Sequence, residues 1–334
     1  MKRDMSKWFE GAAAAKKVKA LPILGFPVTQ IIGMTVGELL GSSENMAKGI
    51  CAVAERVDMA AGLGMMDLSV ESEAFGANVV ITDNEVPTVT GRLVADRADA
   101  DRLAVPSLVG TRAERYIRAI ELAVSRIADR PVFACMLGPF SFAGRLMDVS
   151  EAMMNCYDDP DMVHVVLEKA SAFQIEYAKR YKAIGANGIF IAEPLAGILS
   201  PALIDEFSTP YCKKIVDAIK DDNFAVAYHN CGPTLPLASS IMKIGASAYH
   251  FGNAIELEKM FEIVPRGTIV MGNVDPASQF KNGTPESIRK ATLELLEKCS
   301  RYAGFIPSSG CDIPPTASWD NIDAFFGAVD EFYK

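Results

Sequence analysis

Short apolar runs alternate along most of the chain with longer stretches in which apolar residues recur at helical spacing. Such an alternation is typical of βα units built around a parallel sheet. Eight apolar runs qualify as strands, which favours an α/β fold of the (β/α)8 TIM-barrel type over a doubly wound sheet, the structural alternative. The predicted strands are 21–26, 65–70, 131–136, 188–192, 224–229, 246–251, 268–271 and 304–307.

Three segments add detail to this pattern. Residues 1–20 precede the first predicted strand, and we expect a helical N-terminal extension there. Residues 150–184 keep apolar side chains at helical spacing, which predicts a long amphipathic helix. Residues 77–94 instead alternate as strands do, with Asp83-Asn84 as a turn, which predicts an inserted β-hairpin. No linker or internal repeat divides the sequence, so we expect residues 1–334 to form a single domain.

Composition and charge exclude several classes of function. Half of the 334 residues are hydrophobic, enough to bury a large core. The net charge is −9 and no basic run is long enough to bind a series of phosphates, so nucleic acid is not an expected partner. We see no export signal and no apolar run of about 18 residues that would span a membrane. Seven scattered cysteines do not form a disulfide framework, which favours a cytoplasmic protein.

The candidate chemistry lies where predicted strands end. His229 ends the fifth predicted strand and Cys231 follows two residues later, so that both side chains point to one side of an extended chain. Cys311 follows the eighth predicted strand, and a barrel brings the carboxyl ends of its strands to one rim. Two cysteines and a histidine suit zinc and leave a fourth coordination position open, as in catalytic sites. The structural alternative is a hydrogen-bonded core histidine with two ordinary packing cysteines.

A family resemblance becomes specific at five short segments. They are His-Asn-Cys-Gly at 229–232, Met-Gly-Asn-Val-Asp-Pro at 271–276, Ser-Gly-Cys-Asp at 309–312, Leu-Gly-Pro-Phe-Ser-Phe-Ala-Gly at 137–144 and Ile-Ala-Glu-Pro at 191–194. Over almost the whole chain, the sequence resembles the zinc-dependent methylcobamide:coenzyme M methyltransferases of the uroporphyrinogen decarboxylase superfamily. The resemblance implies that His229, Cys231 and Cys311 bind one zinc ion. It also implies methyl transfer from a methylated corrinoid, carried by a partner protein, to a small thiol such as coenzyme M.

Other activities stay open as alternatives. Superfamily members that decarboxylate porphyrins without metal have an arginine-rich loop after the first strand, whereas Gly-Phe-Pro-Val-Thr-Gln-Ile-Ile at 25–32 contains no arginine. Porphyrin decarboxylation is therefore disfavoured. Ser-Gly-Cys-Asp also replaces the Gly-Cys-Gly typical of the coenzyme M enzymes, so another thiol or tetrahydrofolate remains an alternative acceptor. A non-catalytic module with a structural zinc is the third reading, and the assembly, for example a homodimer, is not determined by the sequence.

Two acidic residues at the predicted rim are candidates for catalysis. Glu193 follows the fourth predicted strand, and we expect it to be either a weak fourth zinc ligand, displaced by the thiol, or a hydrogen-bond partner of His229. Its structural alternative is a carboxylate paired with a basic side chain. Asp275 follows the seventh predicted strand and is a candidate to bind a ligand or to orient Cys311. Its alternative role is to cap the segment that follows.

Five further residues are candidates for substrate binding: Glu71, Glu73, Phe140, Arg145 and His250. The guanidinium of Arg145 suits a negatively charged end of the substrate, such as a sulfonate. Either glutamate could polarise the pocket, although structural ion pairing explains them equally well. His250 could line the pocket or make a structural hydrogen bond, and Phe140 could contact the corrinoid or only cover the barrel.

Overall fold

The computed structural model describes residues 3–334, which contain a curled, seven-stranded sheet whose neighbouring strands are all parallel. The order in this sheet is β1-β4-β5-β6-β7-β8-β9, and helices connect its strands, as in TIM-barrel-like folds. The strands are β1 Gly62–Leu63, β2 Asn78–Val80, β3 Thr88–Thr90, β4 Val132–Leu137, β5 Gly188–Ala192, β6 Ala225–Asn230, β7 Ala248–Phe251, β8 Val270–Val274 and β9 Phe305–Ser309.

The long connecting helices, such as Arg112–Arg126 and Pro160–Ala183, bury one face and expose the other, whereas Pro139–Met147 is buried on almost all sides. Short 3-10 helices cover Phe26–Val28, Pro194–Ile198 and Leu235–Leu237, and a π-helix covers Pro276–Lys281. The α-helices are α1 Met5–Ala13, α2 Thr29–Ile32, α3 Val36–Gly41, α4 Ser43–Arg56, α5 Val70–Ala74, α6 Arg97–Arg102, α7 Arg112–Arg126, α8 Pro139–Met147, α9 Val149–Asp158, α10 Pro160–Ala183, α11 Pro201–Phe207, α12 Thr209–Ile219, α13 Ala238–Met242, α14 Leu257–Ile263, α15 Pro285–Cys299 and α16 Trp319–Phe332. Within residues 3–334, none of them is both long and apolar enough to cross a membrane.

Six of the eight predicted strands overlap strands of the sheet, and the prediction for residues 65–70 is wrong. The strand there is the short β1, which ends at Leu63, and α5 already begins at Val70. The carboxylate of Asp67 accepts hydrogen bonds from the amide and the hydroxyl of Ser69, which turns the chain before a longer strand can form. An apolar run alone does not reveal such a turn.

The sheet also lacks the strand predicted at 21–26, where only the first residues run beside β9 and Phe26 already begins a 3-10 helix. The Leu21 amide donates to the Pro307 carbonyl at 2.9 Å, but the Ile23 amide donates to the hydroxyl of Ser309 instead of to a backbone carbonyl. On its other side, the Ala20 carbonyl accepts from the amide of Ala60, just before β1. The segment 20–24 therefore lies between the two edges of the sheet, and a serine side chain interrupts its ladder of backbone hydrogen bonds.

Two predicted features take a more detailed form in the structure. Strands β2 and β3 pair antiparallel within residues 77–94. The long helix predicted over 150–184 is divided into α9 and α10 because Pro160, which has no N–H to donate, starts a new helix behind the cap Asp159. Helix α1 lies in the predicted N-terminal extension and buries Met5 and Phe9, while residues 1 and 2 lie outside the described part of the chain.

Candidate metal centre

Three potential metal ligands, which we call the ligand group, converge at the carboxyl ends of β6 and β9. They are His229, the next-to-last residue of β6, Cys231, which follows β6, and Cys311, two residues after β9. One ring nitrogen and the two sulfurs all lie within 4.8 Å of one another. His229 is buried, and both cysteines are half-buried. Residues 82 positions apart are thus brought together at one point of the sheet.

The geometry of the ligand group fits tetrahedral zinc. With usual bond lengths, a nitrogen and a sulfur bound to one zinc ion are about 3.6 Å apart, and two sulfurs about 3.8 Å. Nε2 of His229 and Sγ of Cys311 are 3.4 Å apart, and the largest separation in the group is 4.8 Å, so only small side-chain movements would complete the three bonds. The three donors also leave one of the four zinc positions for a substrate.

Local contacts hold Cys231 in place. The side chain of Asn230 donates to the Glu193 carbonyl at 2.9 Å and accepts from the amide of Gly232 at 2.9 Å, which defines the turn that carries Cys231. Gly252 must lack a side chain, because a Cβ there would lie 2.5 Å from the Cα of Cys231. The loop after β7 can therefore pack directly against the backbone of this ligand.

The two thiols of the ligand group titrate as a pair. Hydrogen bonding from Cys311, helped by His229, lowers the pKa of Cys231 below its usual value. The same hydrogen bond, together with burial, raises the pKa of Cys311. The first proton is thus lost easily and the second is retained, as expected for two coupled acids that share one site. A thiol whose pKa is lowered gives up its proton more readily when a metal ion binds.

His250 lies directly behind His229. The two histidines are paired in register on the neighbouring strands β6 and β7, and their Nδ1 atoms are 2.8 Å apart. Nε2 of His250 is 2.8 Å from the hydroxyl of Ser308, which donates to the Leu21 carbonyl at 2.7 Å. His250 is fully buried, and this burial lowers its pKa well below the usual value. The structure thus places His250 in contact with a candidate ligand and away from solvent.

The sequence contained a signal for this contact. The tripeptide Ala-Tyr-His occurs twice, at 227–229 and at 248–250, and the structure pairs the two copies residue by residue. Repetition of a tripeptide at the ends of successive parallel strands indicates that the two histidines share one height in the sheet. Ser308 had no comparable signal, because its contact with His250 depends on the placement of the segment around Leu21.

The structure places the Glu193 carboxylate at the start of α8, outside the ligand group. One oxygen accepts from the amide of Phe140 at 3.0 Å and the other from the amide of Ser141 at 2.5 Å. Ser208 and Cys212 lie within hydrogen-bond distance of the same side chain. Burial raises the pKa of Glu193, although the amides at the helix start favour its ionised form. Its oxygens therefore already have partners.

The other acidic candidates also have protein partners. Asp275 caps the π-helix that follows it, accepting from the amides of Ala277 and Ser278 at 2.8 and 3.0 Å. Glu73 pairs with the buried guanidinium of Arg112 at 2.5 Å. The same guanidinium binds Asp67 at 2.7 Å in a buried ion pair that sequence analysis missed, because 45 residues separate its members.

Glu71 differs from these acids because only one of its oxygens has a partner. One carboxylate oxygen accepts from the amide of Leu137 at 2.7 Å, whereas the other is buried without a hydrogen-bond partner among residues 3–334. Burial raises its pKa to about 7. Asp312, directly after the ligand Cys311, likewise has one buried oxygen without a partner in the described chain, and burial raises its pKa. Glu71 was a candidate from the sequence, whereas Asp312 was not.

The last two candidates lie in α8, the helix that starts at the carboxyl end of β4. Phe140 is fully buried, so that its ring belongs to the core. Arg145 is half-buried, and in the described part of the chain its guanidinium has no hydrogen bond and no ion pair. Burial lowers its pKa. An arginine without a partner, in the helix that follows β4, is available for an anionic ligand.

The candidate metal centre thus lies at the carboxyl ends of the strands of a TIM-barrel-like sheet, which is the end where barrel enzymes have their active sites. The sequence profile of the Uroporphyrinogen decarboxylase (URO-D) family matches residues 19–332, and the chain therefore belongs to this family. In a solved structure titled methyltransferase from Methanosarcina mazei, 100% of that chain superimposes on 99% of this one with a TM-score of 0.87 and 25% sequence identity.

Curated relatives fall into two groups by name. Methylcobamide:CoM methyltransferase MtbA from Methanosarcina acetivorans is 28% identical over 235 residues, 69% of each chain. Uroporphyrinogen decarboxylase from Chlorobium luteolum is 27% identical over 291 residues, which cover 83% of this chain and 81% of the relative. Relatives similar to this chain thus have the names of two different reactions, methyl transfer and decarboxylation. The residues of the site are needed to distinguish between them.

Proposed function

We propose that this protein is a zinc-dependent methyltransferase that moves a methyl group from a methylated corrinoid, carried by a partner protein, to a small thiol such as coenzyme M. In this reaction the sulfur–carbon bond of a thioether forms while the cobalt–carbon bond breaks, and the electron pair of that bond stays on the reduced corrinoid. The observation that carries the proposal is the convergence of His229, Cys231 and Cys311 at the carboxyl ends of the strands.

In this proposal the ligand group holds one zinc ion through Nε2 of His229 and the sulfurs of Cys231 and Cys311. Bound zinc would lower the pKa of a thiol in the fourth position, so that the thiol is present as thiolate at neutral pH. The protein supplies the remaining requirements. Asn230 holds the turn of Cys231, and Glu193 anchors the start of α8, the helix that carries Arg145. Arg145 is the side chain we assign to the negatively charged end of the thiol.

The methyl donor needs access from outside the sheet. We propose that residues 1–334 form one (β/α)8 barrel domain in which the segment 20–24 takes the position of the eighth strand. Exposed apolar side chains occur in several connections that follow the strand positions, among them Ile31, Ile81 and Ile198. Burial of such side chains against a second protein is favourable, which is compatible with docking of a corrinoid protein.

Porphyrin decarboxylation is the competing activity because relatives of that name are similar to this chain. Two observations count against it. The loop at 25–32, where the decarboxylases resembled above have arginines, contains none and forms short helical turns. The ligand group would also have no task in a reaction that needs no metal. We therefore favour methyl transfer.

The test combines zinc content with a methyl-transfer assay. Native protein purified with zinc should hold about one zinc ion per chain. Under anaerobic conditions it should demethylate methylcobalamin when coenzyme M is added, seen as loss of the methyl-cobalt absorbance. Cys311→Ser should lose both zinc and activity. Cys299→Ser is the matched control, because Cys299 is buried in α15 outside the ligand group, and it should keep both.

Other outcomes contradict specific parts of the proposal. Retention of stoichiometric zinc by Cys311→Ser would remove Cys311 from the metal centre. Demethylation with tetrahydrofolate, but with no thiol of a broad panel, would assign a different acceptor. Release of CO₂ from uroporphyrinogen by the zinc-free protein would identify a decarboxylase and reject the proposed function.

A further inference from the structure

Three consecutive contacts connect His229 to the segment 20–24, which lies beside the edge strand β9. Nδ1 of His229 lies 2.8 Å from Nδ1 of His250, Nε2 of His250 lies 2.8 Å from Oγ of Ser308, and Oγ of Ser308 lies 2.7 Å from the Leu21 carbonyl oxygen. His250 and Ser308 are fully buried, and His229 is nearly so. We call this series of contacts the relay.

The chemistry of the relay's groups determines where each proton lies. The carbonyl of Leu21 can only accept, so the single hydroxyl proton of Ser308 must point toward it. Oγ of Ser308 must then accept from Nε2–H of His250. A neutral imidazole carries one proton, so Nδ1 of His250 has none and must accept from Nδ1–H of His229. In a neutral His229, Nε2, the nitrogen that faces Cys311, then keeps its lone pair.

A positively charged His250 would reverse this assignment, and the surroundings of the ring oppose that charge. Within residues 3–334, no carboxylate hydrogen-bonds to either ring nitrogen of His250, and no solvent reaches the ring. A buried charge without a partner is costly. With both rings neutral, only one placement of protons therefore satisfies all three contacts.

The irregular edge of the sheet makes the relay's last contact available. In a regular parallel ladder, a backbone N–H of β9 would take the Leu21 carbonyl. In the described chain the Leu21 carbonyl instead accepts the Ser308 hydroxyl, and the neighbouring Ser309 hydroxyl takes the Ile23 amide. The two serines thus interrupt the ladder at the position where a fixed acceptor is needed behind His250.

We propose that His250 and Ser308 are positioning residues that fix His229 in the tautomer protonated at Nδ1 and thereby present Nε2 to the metal. The use of this tautomer rests on the proposed zinc function, whereas the tautomer itself is a property of the metal-free protein. Partners of this kind behind a ligating histidine set its orientation and strengthen metal binding.

The tautomer can be read directly because the chain has only three histidines. In metal-free protein labelled with ¹⁵N-histidine, two-bond correlations within each ring show which nitrogen carries the proton. We expect His229 to be protonated at Nδ1 and His250 at Nε2. The third histidine, His164, is half-buried beside the Tyr211 hydroxyl and gives a separate set of signals. A His229 ring protonated at Nε2, or exchanging between the two forms, overturns the proposal.

Zinc affinity, measured by competition with a chromophoric chelator, gives the second readout. His250→Phe and Ser308→Ala should each weaken zinc binding by about 10–100-fold and leave His229 without a single tautomer. Ser308→Thr restores a hydroxyl and should recover most of the affinity. Ser309→Ala is the matched control, because it removes a hydrogen bond of the same edge, to Ile23, but no contact of the relay.

The outcomes separate this inference from the proposed function. If the native protein binds no zinc, the proposed function fails. The spectrum of the metal-free protein still tests whether His229 has the expected tautomer. If zinc binds but His250→Phe and Ser308→Ala hold it as tightly as Ser309→Ala does, the relay has no positioning role. Circular dichroism of each variant shows whether it is folded. The ¹⁵N-histidine spectrum of the unmutated protein tests the tautomer even if a variant does not fold.

Discussion

Two polar centres lie side by side at the carboxyl ends of β5 and β6, namely Glu193 and the ligand group. They differ in the partners of their polar atoms. At the end of β5, both carboxylate oxygens of Glu193 accept backbone amides of α8. At the end of β6, the ring nitrogen of His229 and two sulfurs face one another instead. A carboxylate held by backbone amides stabilises the fold, whereas a nitrogen and two sulfurs that have only one another as partners on their facing sides are available for a ligand. Glu71, with one oxygen satisfied and one not, lies between these cases.

Glu193→Ala is the substitution with the largest expected effect, and it tests whether Glu193 stabilises the fold or binds the metal. We expect a loss of about 2–4 kcal/mol in the free energy of unfolding, because two buried amides at the start of α8 lose their acceptors. Zinc affinity of the folded protein should stay unchanged. Urea denaturation measures the stability, and chelator competition measures the affinity. Glu193→Gln keeps one acceptor and should lose less stability. A weaker zinc site with unchanged stability would instead identify Glu193 as a metal ligand.

Glu71→Gln tests how the half-partnered carboxyl group affects the pH dependence of the free energy of unfolding. Burial raises the pKa of Glu71 from 4.5 to about 7 in the folded protein, so the folded state holds this proton more tightly than the unfolded state. The contribution to stability is fully present below about pH 4.5 and is lost as pH rises to about 7, by about 3 kcal/mol in total. The glutamine variant lacks this decline. Unfolding free energies of both proteins at pH 5 and pH 8 test it, and parallel pH profiles would contradict the prediction.

Asp275→Ala should have the smallest effect. Its carboxylate caps the exposed start of a π-helix, so we expect a loss of about 0.5–2 kcal/mol and no change in zinc affinity. Asp159→Ala removes the corresponding cap of α10 and provides the matched control for stability. A clear fall in zinc affinity for Asp275→Ala alone would mean that Asp275 orients Cys311 after all.

Much of the site could be predicted because its signals are local. His229 and Cys231 are two residues apart at the end of a strand, so their common direction follows from extended geometry alone. Strand β5 was predicted with its bounds unchanged, since five consecutive apolar residues between polar ends leave little choice. Asp275 was assigned a cap as its alternative role, and the following Pro276 is typical of the first position of a helix.

What the sequence could not determine depends on partners far away along the chain. Whether Glu193 faces a metal or a helix start is decided by where α8 begins, more than 50 residues earlier. The role of His250 required its register with His229, and the role of Ser308 required the segment around Leu21 to lie against β9.

The sequence by itself determined the alternation of strands and helices, the donor atoms available to a metal and the absence of an arginine-rich loop. Only the tertiary structure decided which polar groups find partners. Periodicity records the side of an element that is buried, whereas a hydrogen bond depends on distance and angle between groups that folding alone brings together. The same types of side chain therefore became helix caps, a relay or candidate ligands according to their neighbours in space.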